Sequence, residues 1–377
     1  MRSVRSIKVL ENIPVLVRCA LNVPVQQGEV AGSFRLRRAL PTIEYLRKRH
    51  ARVVLIGHIG DKGTETLEPV YRAMKEFIPD LTFCPVTTGP KARDAVRQLP
   101  PGGVLMLENL RRDTGEQRNQ REFAAALADL ADVFVEDSFD VCHRPHASVV
   151  GVPEFLPSYA GFLVEEEVRE LSKALKPGKP SLAIIGGAKF GTKEPVLKKL
   201  LTSYERVFVG GALANDFMQA SGRPVGKSLV SGADKTELKT LMGNRKLLLP
   251  VDYVVTHAGE PVSSGRVAEI QDVNPTETIL DDGPKTVALI ATHAQKAKTI
   301  LWNGPLGNYE NGFVQGTEAV ARVIASSKAR SIVGGGDTVA AIEKLGISDQ
   351  FSFISTGGGA MLDFLAKGTL PGLDVLR

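Results

Sequence analysis

Three short apolar runs in the second half of the chain end in glycine clusters: Gly186-Gly187-Ala188-Lys189, Gly334-Gly335-Gly336-Asp337 and Ser355-Thr356-Gly357-Gly358-Gly359. A strand that ends in glycines and opens a helix presents bare backbone N–H groups, which is a physical means of holding phosphate oxygens. Lys189 adds a mobile ammonium suited to a transferring phosphoryl group. Asp337 adds a carboxylate suited to a magnesium ion that neutralises phosphates. A single glycine turn is more often a tight turn than a phosphate cradle, but three in one half, two of them with a charged residue, favour the ligand reading. None is a Walker loop, because Gly-x-x-x-x-Gly-Lys-Ser/Thr does not occur at these turns. Nor is the spacing that of a dinucleotide fingerprint.

The first half offers a different chemistry. Arg18, Arg35, Arg111 and Arg144 lie at or near the ends of apolar runs, with Asn22 and His58 close by. A guanidinium binds phosphate or carboxylate in a bidentate fork, so this set reads as an oxyanion pocket. Asp61 is the discordant residue among them. His143-x-x-His146 has the spacing of a metal pair but no further ligands close in sequence, and hydrogen bonding is the better reading.

The elements that must position these residues alternate. Val15-Leu16-Val17, Val53-Val54-Leu55-Ile56, Val104-Leu105-Met106-Leu107 and Val133-Phe134-Val135 are short apolar runs separated by amphipathic stretches, the pattern of a parallel sheet in βαβ units. Leu36, Leu40, Ile43 and Leu46 recur at helical spacing, with Arg37, Arg38, Arg47 and Lys48 outward. The rhythm breaks at Phe162 to Leu175, a helix with an apolar stripe and many glutamates, halted by Lys176-Pro177-Gly178-Lys179-Pro180. It then resumes at Leu182-Ala183-Ile184-Ile185, Val207-Phe208-Val209, Thr299-Ile300-Leu301 and Ile332-Val333. The expected fold is therefore α/β: two Rossmann-like three-layer (αβα) domains with parallel sheets, joined by an interdomain helix. In open α/β sheets ligands sit beyond the carboxyl ends of the strands, where the singled-out residues of both halves fall.

Composition agrees. A chain of 377 residues with 43% hydrophobic and 24% charged residues is an ordinary globular protein of two domains. Its formal charge of +5 suits an anionic ligand without selecting nucleic acid or membrane. The three widely spaced cysteines, Cys19, Cys84 and Cys142, read as reduced thiols, and no apolar stretch reaches 18 residues. A cytoplasmic protein is expected, with neither nucleic acid nor membrane as partner.

These residues carry a resemblance. The chain resembles the phosphoglycerate kinases over nearly its whole length, through Val15-Leu16-Val17-Arg18, Leu40-Pro41-Thr42-Ile43, Glu108-Asn109-Leu110-Arg111 and His143-Arg144-Pro145-His146-Ala147-Ser148. The match continues in Gly186-Gly187-Ala188-Lys189, Gly283-Pro284-Lys285-Thr286, Trp302-Asn303-Gly304-Pro305 and the two later glycine clusters. The resemblance implies the two-lobed phosphoglycerate kinase fold: an acid-binding domain over 1–161, with a tail at about 364–377 returning to it, a hinge helix over 162–178 and a nucleotide domain over 179–363. It implies reversible transfer of the acyl phosphate of 1,3-bisphosphoglycerate to ADP, with hinge closure and in-line transfer, by a monomer that uses Mg2+ with ATP or ADP. Arg18, Asn22, Arg35, His58, Arg111 and Arg144 would hold the glycerate. Lys189, Lys193, Gly211, Asn303, Glu310, Gly334, Gly335, Gly336, Asp337 and Thr338 would serve the nucleotide, with Asp337 on the metal and Glu310 on the ribose. Arg35, Lys189 and the N–H groups of Gly335 and Gly358 would meet the moving phosphoryl group.

Departures from that pattern concentrate in the first half. Ala20 stands for an aspartate that binds the glycerate, and Asp61 for the arginine of a His-x-Gly-Arg-Pro loop, a charge reversal beside the implied phosphate site. Ser33, Phe34, Arg112 and Asp140 also depart there, and the loop around Asp61 to Thr66 looks shortened. Arg37, Arg38 or Arg112 are candidates to compensate for the missing arginine. Thr192, Ala212 and Gln219 are the milder changes of the second half. Three readings follow: an active kinase of reduced activity, a kinase for a different small acid, or a nucleotide-binding or regulatory protein without catalysis.

Overall fold

The computed structural model describes residues 1–257 and 259–376. The chain divides into two compact units, one of Met1–Arg169 with the final segment from Thr369, the other of Glu170–Gly368.

The first unit is built on a six-stranded sheet. Its strands are β1 (Pro14–Cys19), β2 (Arg52–Ile56), β3 (Thr82–Cys84), β4 (Val104–Leu107), β5 (Val133–Asp137) and β6 (Ser158–Ala160), in the spatial order β3-β4-β2-β1-β5-β6. All pairings are parallel. β1 is buried at every position, so its apolar residues fill layers on both faces, with Val15 and Val17 in one cluster and Leu16 in the other. The helix α1 (Phe34–Lys48) covers one face with Leu36, Ala39, Ile43 and Leu46, the stripe its spacing predicts. The edge strands β3 and β6 escaped the sequence reading because three residues are too few to show a period.

The next helix, α2 (Phe162–Ala174), starts inside this unit. Its first turn is tied down by Phe162 N–H to Thr42 Oγ1 and Leu163 N–H to Asp137 Oδ1, both 2.9 Å. Asp137, the last residue of β5, thus serves as a helix anchor. Burial pushes its carboxyl up to about 7 against those hydrogen bonds.

The second unit repeats the architecture with β7 (Ser181–Ile185), β8 (Arg206–Val209), β9 (Leu247–Leu248), β10 (Thr299–Asn303), β11 (Arg330–Gly334) and β12 (Phe353–Ile354), ordered β9-β8-β7-β10-β11-β12 and parallel throughout. Helices α3 (Phe190–Ser203), α4 (Ala212–Ala220), α5 (Gly336–Lys344) and α6 (Gly358–Lys367) follow the glycine turns. An antiparallel three-stranded sheet of Asp252–His257, Arg266–Glu269 and Glu277–Asp282 was not foreseen. It carries its own small core around Tyr253, Val255 and Ile279.

Candidate functional site

In the first unit the carboxyl ends of β1, β2, β4 and β5 gather the expected arginines, and most are already engaged. Arg18 is fully buried. Its Nη1 donates to the Cys19 carbonyl at 2.8 Å, its Nε to Ser148 Oγ at 3.0 Å, and its Nη2 lies 2.9 Å from His58 Nδ1. A guanidinium without exposed surface and with partners on three sides holds its neighbours in place in this structure. His58 is itself 3% exposed. Burial holds its imidazole well below the usual histidine range, helped by the positive charges of Arg18 and Arg111.

Asp61 decides much of this site. Arg111 Nη1 donates to the carbonyl of Gly60 at 2.5 Å and to Asp61 Oδ1 at 2.7 Å. The arginine side chain is 9% exposed and the aspartate 96%. The carboxylate therefore reaches in from solvent to the arginine that was expected to meet the substrate. An exposed ion pair of this kind is worth about 0–1 kcal/mol. It is weak enough to be displaced, yet it competes with any incoming anion for Arg111.

Arg35 Nη1 donates to the Asn22 carbonyl at 2.5 Å, and Asn22 Oδ1 accepts from Gly60 N–H at 3.1 Å, so Asn22 ties the α1 side of the pocket to the Asp61 loop. Ala20 is fully buried and offers neither acceptor nor surface. Arg144 is exposed, and no side-chain partner for it is found among the described residues. Two of the three candidate compensators are otherwise occupied, Arg112 with Glu108 at 2.9 Å and Arg38 with Glu166 at 2.7 Å, while Arg37 is exposed. Asp140 accepts from Ser138 Oγ at 2.6 Å.

Sequence reasoning missed the residue that holds these loops together. Asn109 accepts from the N–H groups of Ile59 and Arg111 through Oδ1, and donates from Nδ2 to the carbonyls of Ile59 and Glu65. One buried amide thus fixes the loop after β2 against the turn after β4. Glu108 beside it accepts from Leu67 N–H and Thr66 Oγ1. No sequence pattern marks an asparagine for this role, although both residues lie inside a recognised motif.

In the second unit the glycine turns sort into two kinds. A Cβ on Gly186 would strike the carbonyl of Pro305, and one on Gly334 would strike Met361 Sδ. Both glycines permit a close approach, of neighbouring backbone at Gly186 and of the Met361 side chain at Gly334. Gly335, with φ of 103°, needs the left-handed region that glycine supplies, and its Cβ position is 3.1 Å from Gly304 N. Gly336 is different, because nothing lies within 4 Å of its Cβ position. There the N-terminus of α5 faces open space. A Cβ on Gly358, at the start of α6, would lie 3.5 Å from Gly335 Cα, so these two turns adjoin. Gly211, with φ of 64°, meets Pro305 O and Gly187 N.

The side chains follow the same division. Lys189 is exposed and its ammonium has no partner among the described residues. Lys193 Nζ donates to the Gly186 carbonyl at 2.6 Å, and burial pulls its ammonium down to about 8 against the pull of Asp337. Thr192 Oγ1 donates to the Lys189 carbonyl at 3.0 Å, so the residue that departs from the family steadies the start of α3. Asn303 is buried, with its amide 3.5 Å from the Gly358 carbonyl. At the start of α5, Thr338 Oγ1 is buried and unpartnered. Asp337 beside it is half-buried, and burial followed by the charge of Glu310 raises its carboxyl. The Lys193 ammonium opposes that rise only in part, and a half-buried carboxylate held up in this way fits a divalent cation shared with phosphates. Among the described residues no group of three or more His, Cys, Asp or Glu could hold a metal alone.

Two parallel α/β units, one with an arginine-histidine cluster and one with an open helix N-terminus and an exposed lysine, suit a protein that handles phosphorylated ligands. The comparisons identify the kind. The family model for phosphoglycerate kinase matches residues 4–368. Phosphoglycerate kinase from Rubrobacter xylanophilus is 44% identical over 100% of this chain and 98% of its own. That from Thermus thermophilus is 45% identical over 96% of each. Among solved structures, phosphoglycerate kinase from Pyrococcus horikoshii matches with a TM-score of 0.89 at 30% identity, covering 100% of this chain and 98% of that one. The one from Coxiella burnetii matches with a TM-score of 0.81 at 38% identity, covering 99% and 98%. The chain belongs to the phosphoglycerate kinase family.

Proposed function

We propose that the protein is a phosphotransferase that moves the acyl phosphate of 1,3-bisphosphoglycerate to ADP, reversibly, yielding 3-phosphoglycerate and ATP. The observation that carries this reading is the open N-terminus of α5, where Asp337 faces the Lys193 ammonium, in a unit whose exposed Lys189 has no partner among the described residues. Phosphoryl transfer leaves the protein little covalent work, so positioning and charge neutralisation supply most of the catalysis. In this reading Lys189 and the N–H groups of Gly335, Gly336 and Gly358 neutralise the phosphates. Lys193, Gly211, Asn303 and Thr338 shape the site, and Glu310 holds the ribose. Mg2+ with the nucleotide supplies further charge neutralisation, and Asp337 is the residue that would hold it. Arg35, Asn22, His58, Arg111 and Arg144 receive the acid substrate, with Arg18 beneath His58. The reading includes a monomer at work in the cytoplasm, with α2 as the hinge; no helix among the described residues is long and apolar enough to cross a membrane.

A coupled assay with 3-phosphoglycerate and ATP, run beside calorimetric titration with ADP, tests the proposal. Turnover supports it; nucleotide binding without turnover removes it. A second reading, a nucleotide-binding protein with weak or redirected acid binding, draws on the Asp61–Arg111 pair. A panel of other phosphorylated small acids distinguishes a redirected kinase from an inactive one.

A further inference from the structure

We propose that Glu116 is a positioning residue for His58: through Ser148 and Arg18 it fixes which ring nitrogen carries the proton, so that the imidazole offers Nε2–H as a donor to the acid substrate. The last clause rests on the assignment of His58 to the acid site made above; the relay itself does not.

The chain of contacts joins four segments of the first unit. Glu116 lies in the one-turn helix Thr114–Gln117, with 1% of its side chain exposed. Its Oε2 accepts from Ser148 N–H at 2.9 Å and its Oε1 from Ser148 Oγ at 2.6 Å. Ser148 Oγ lies 3.0 Å from Arg18 Nε, and Arg18 Nη2 lies 2.9 Å from His58 Nδ1. All four residues are buried.

Each link has one permitted direction. A guanidinium donates and never accepts. Ser148 Oγ therefore accepts from Arg18, which sends its own proton to Glu116. His58 Nδ1 likewise accepts from Arg18, so the neutral ring carries its proton on Nε2. A proton on Nδ1 would set N–H against N–H. A second proton, making the ring an imidazolium, would in addition place a charge before Arg18, Arg111, His146 and Arg35. His146 Nδ1, 3.8 Å from Glu116 Oε1, is the other titratable group against the carboxylate. Glu116 is thus the acceptor at which the relay ends. Replaced by glutamine, it meets either the serine N–H or the serine hydroxyl with an NH2 group, and the hydroxyl loses its reason to leave a lone pair facing Arg18.

The test uses the full chain, labelled with 15N at histidine and followed by NMR without ligand. His58 is expected as the Nε2–H tautomer from pH 8 down to pH 5, with no titration. A wild-type His58 that protonates in that range, or carries its proton on Nδ1, overturns the relay with no variant needed. Glu116→Gln and Ser148→Ala each deprive Arg18 Nε of its acceptor and release the guanidinium from its fixed approach to Nδ1, so each is expected to give mixed tautomers and to bring His58 titration into the range. They should raise KM for 3-phosphoglycerate about ten-fold with KM for ATP within two-fold. Ser148→Thr, which keeps the hydroxyl, is expected to restore the wild-type tautomer. Unchanged tautomers in folded Glu116→Gln and Ser148→Ala overturn the proposal. Altered tautomers with an unmoved KM uphold the relay and remove His58 from the acid site.

Discussion

In the first unit Arg18, Arg35 and Arg111 each already have a protein partner, whereas in the second Lys189 has none among the described residues. The contrast follows from how each unit makes its positive potential. Buried guanidinium groups are costly unless hydrogen-bonded, so the first unit surrounds them with carbonyls, a serine and a histidine, and Asp61 adds a carboxylate from solvent. Helix N-termini carry partial charge on backbone N–H groups that water can satisfy. They need no counter-ion, and the glycine turns keep them open. An anion entering the second unit meets donors in waiting; one entering the first finds Arg144 open but must exchange with contacts already made at Arg35 and Arg111.

Lys189→Ala breaks the contrast most severely. In the proposed reading Lys189 is the charge that meets the moving phosphoryl group, so its loss is expected to lower turnover by about 10³-fold, with ADP affinity held within about three-fold. Steady-state kinetics and calorimetry together check this, and near-normal turnover would deprive Lys189 of its role. The two kinds of glycine give the next largest effect. Gly186→Ala is expected to lose about 3 kcal/mol in chemical denaturation, because its Cβ would meet the Pro305 carbonyl. Gly336→Ala should leave stability within about 0.5 kcal/mol, having open space around it, while weakening ADP several-fold by crowding the N-terminus of α5. Equal stability losses at the two positions would erase the distinction between packing and open glycines.

A smaller effect concerns buried acids of the second unit. Burial raises Asp281 to about 7, and Asp282 well above the carboxylate range, where its two oxygens have no hydrogen-bond partner. Unfolded, both groups titrate near the reference value of about 3.9. Between about pH 4 and 7 the folded state therefore binds more protons, so their contribution to stability falls as pH rises, and the loss is complete only above the raised folded values. Asp282→Asn removes one such acid. The variant is expected to gain about 1–2 kcal/mol over the wild type at pH 8 and little at pH 5 in thermal unfolding. A gain independent of pH would show that Asp282 is not ionised on unfolding in the manner described.

Much of this was legible because it depends on local pattern. The apolar runs that became β1, β2, β4 and β5 announce themselves, as do the glycine clusters that became the starts of α5 and α6. The short edge strands and the antiparallel sheet did not, since two to six residues without strict alternation give no period to read. At the site, residue type identified Arg18 and Arg111 as anion binders, yet type says nothing of what else a guanidinium touches. Arg18 turned out to be covered by Ser148, 130 positions away, and Asn109 to hold two loops from within a motif noted for its arginine. Gly334 and Gly336 are neighbours in one cluster, but only three-dimensional packing separates the one against Met361 from the one facing open space. Charge reversal at Asp61 was visible in the sequence, and its partner Arg111 was not.

That pair offers the most direct test of the account, whose central claim is that Asp61 weakens acid binding in the first unit while the nucleotide site stands intact. Calorimetric titration of wild type and Asp61→Arg, each with ADP and separately with 3-phosphoglycerate, measures both halves of the claim. The account predicts that 3-phosphoglycerate binds about ten-fold tighter to the variant, a change of about 1.4 kcal/mol, with ADP affinity unaltered. Unchanged 3-phosphoglycerate affinity, or a shift in ADP affinity of the same size, would contradict it.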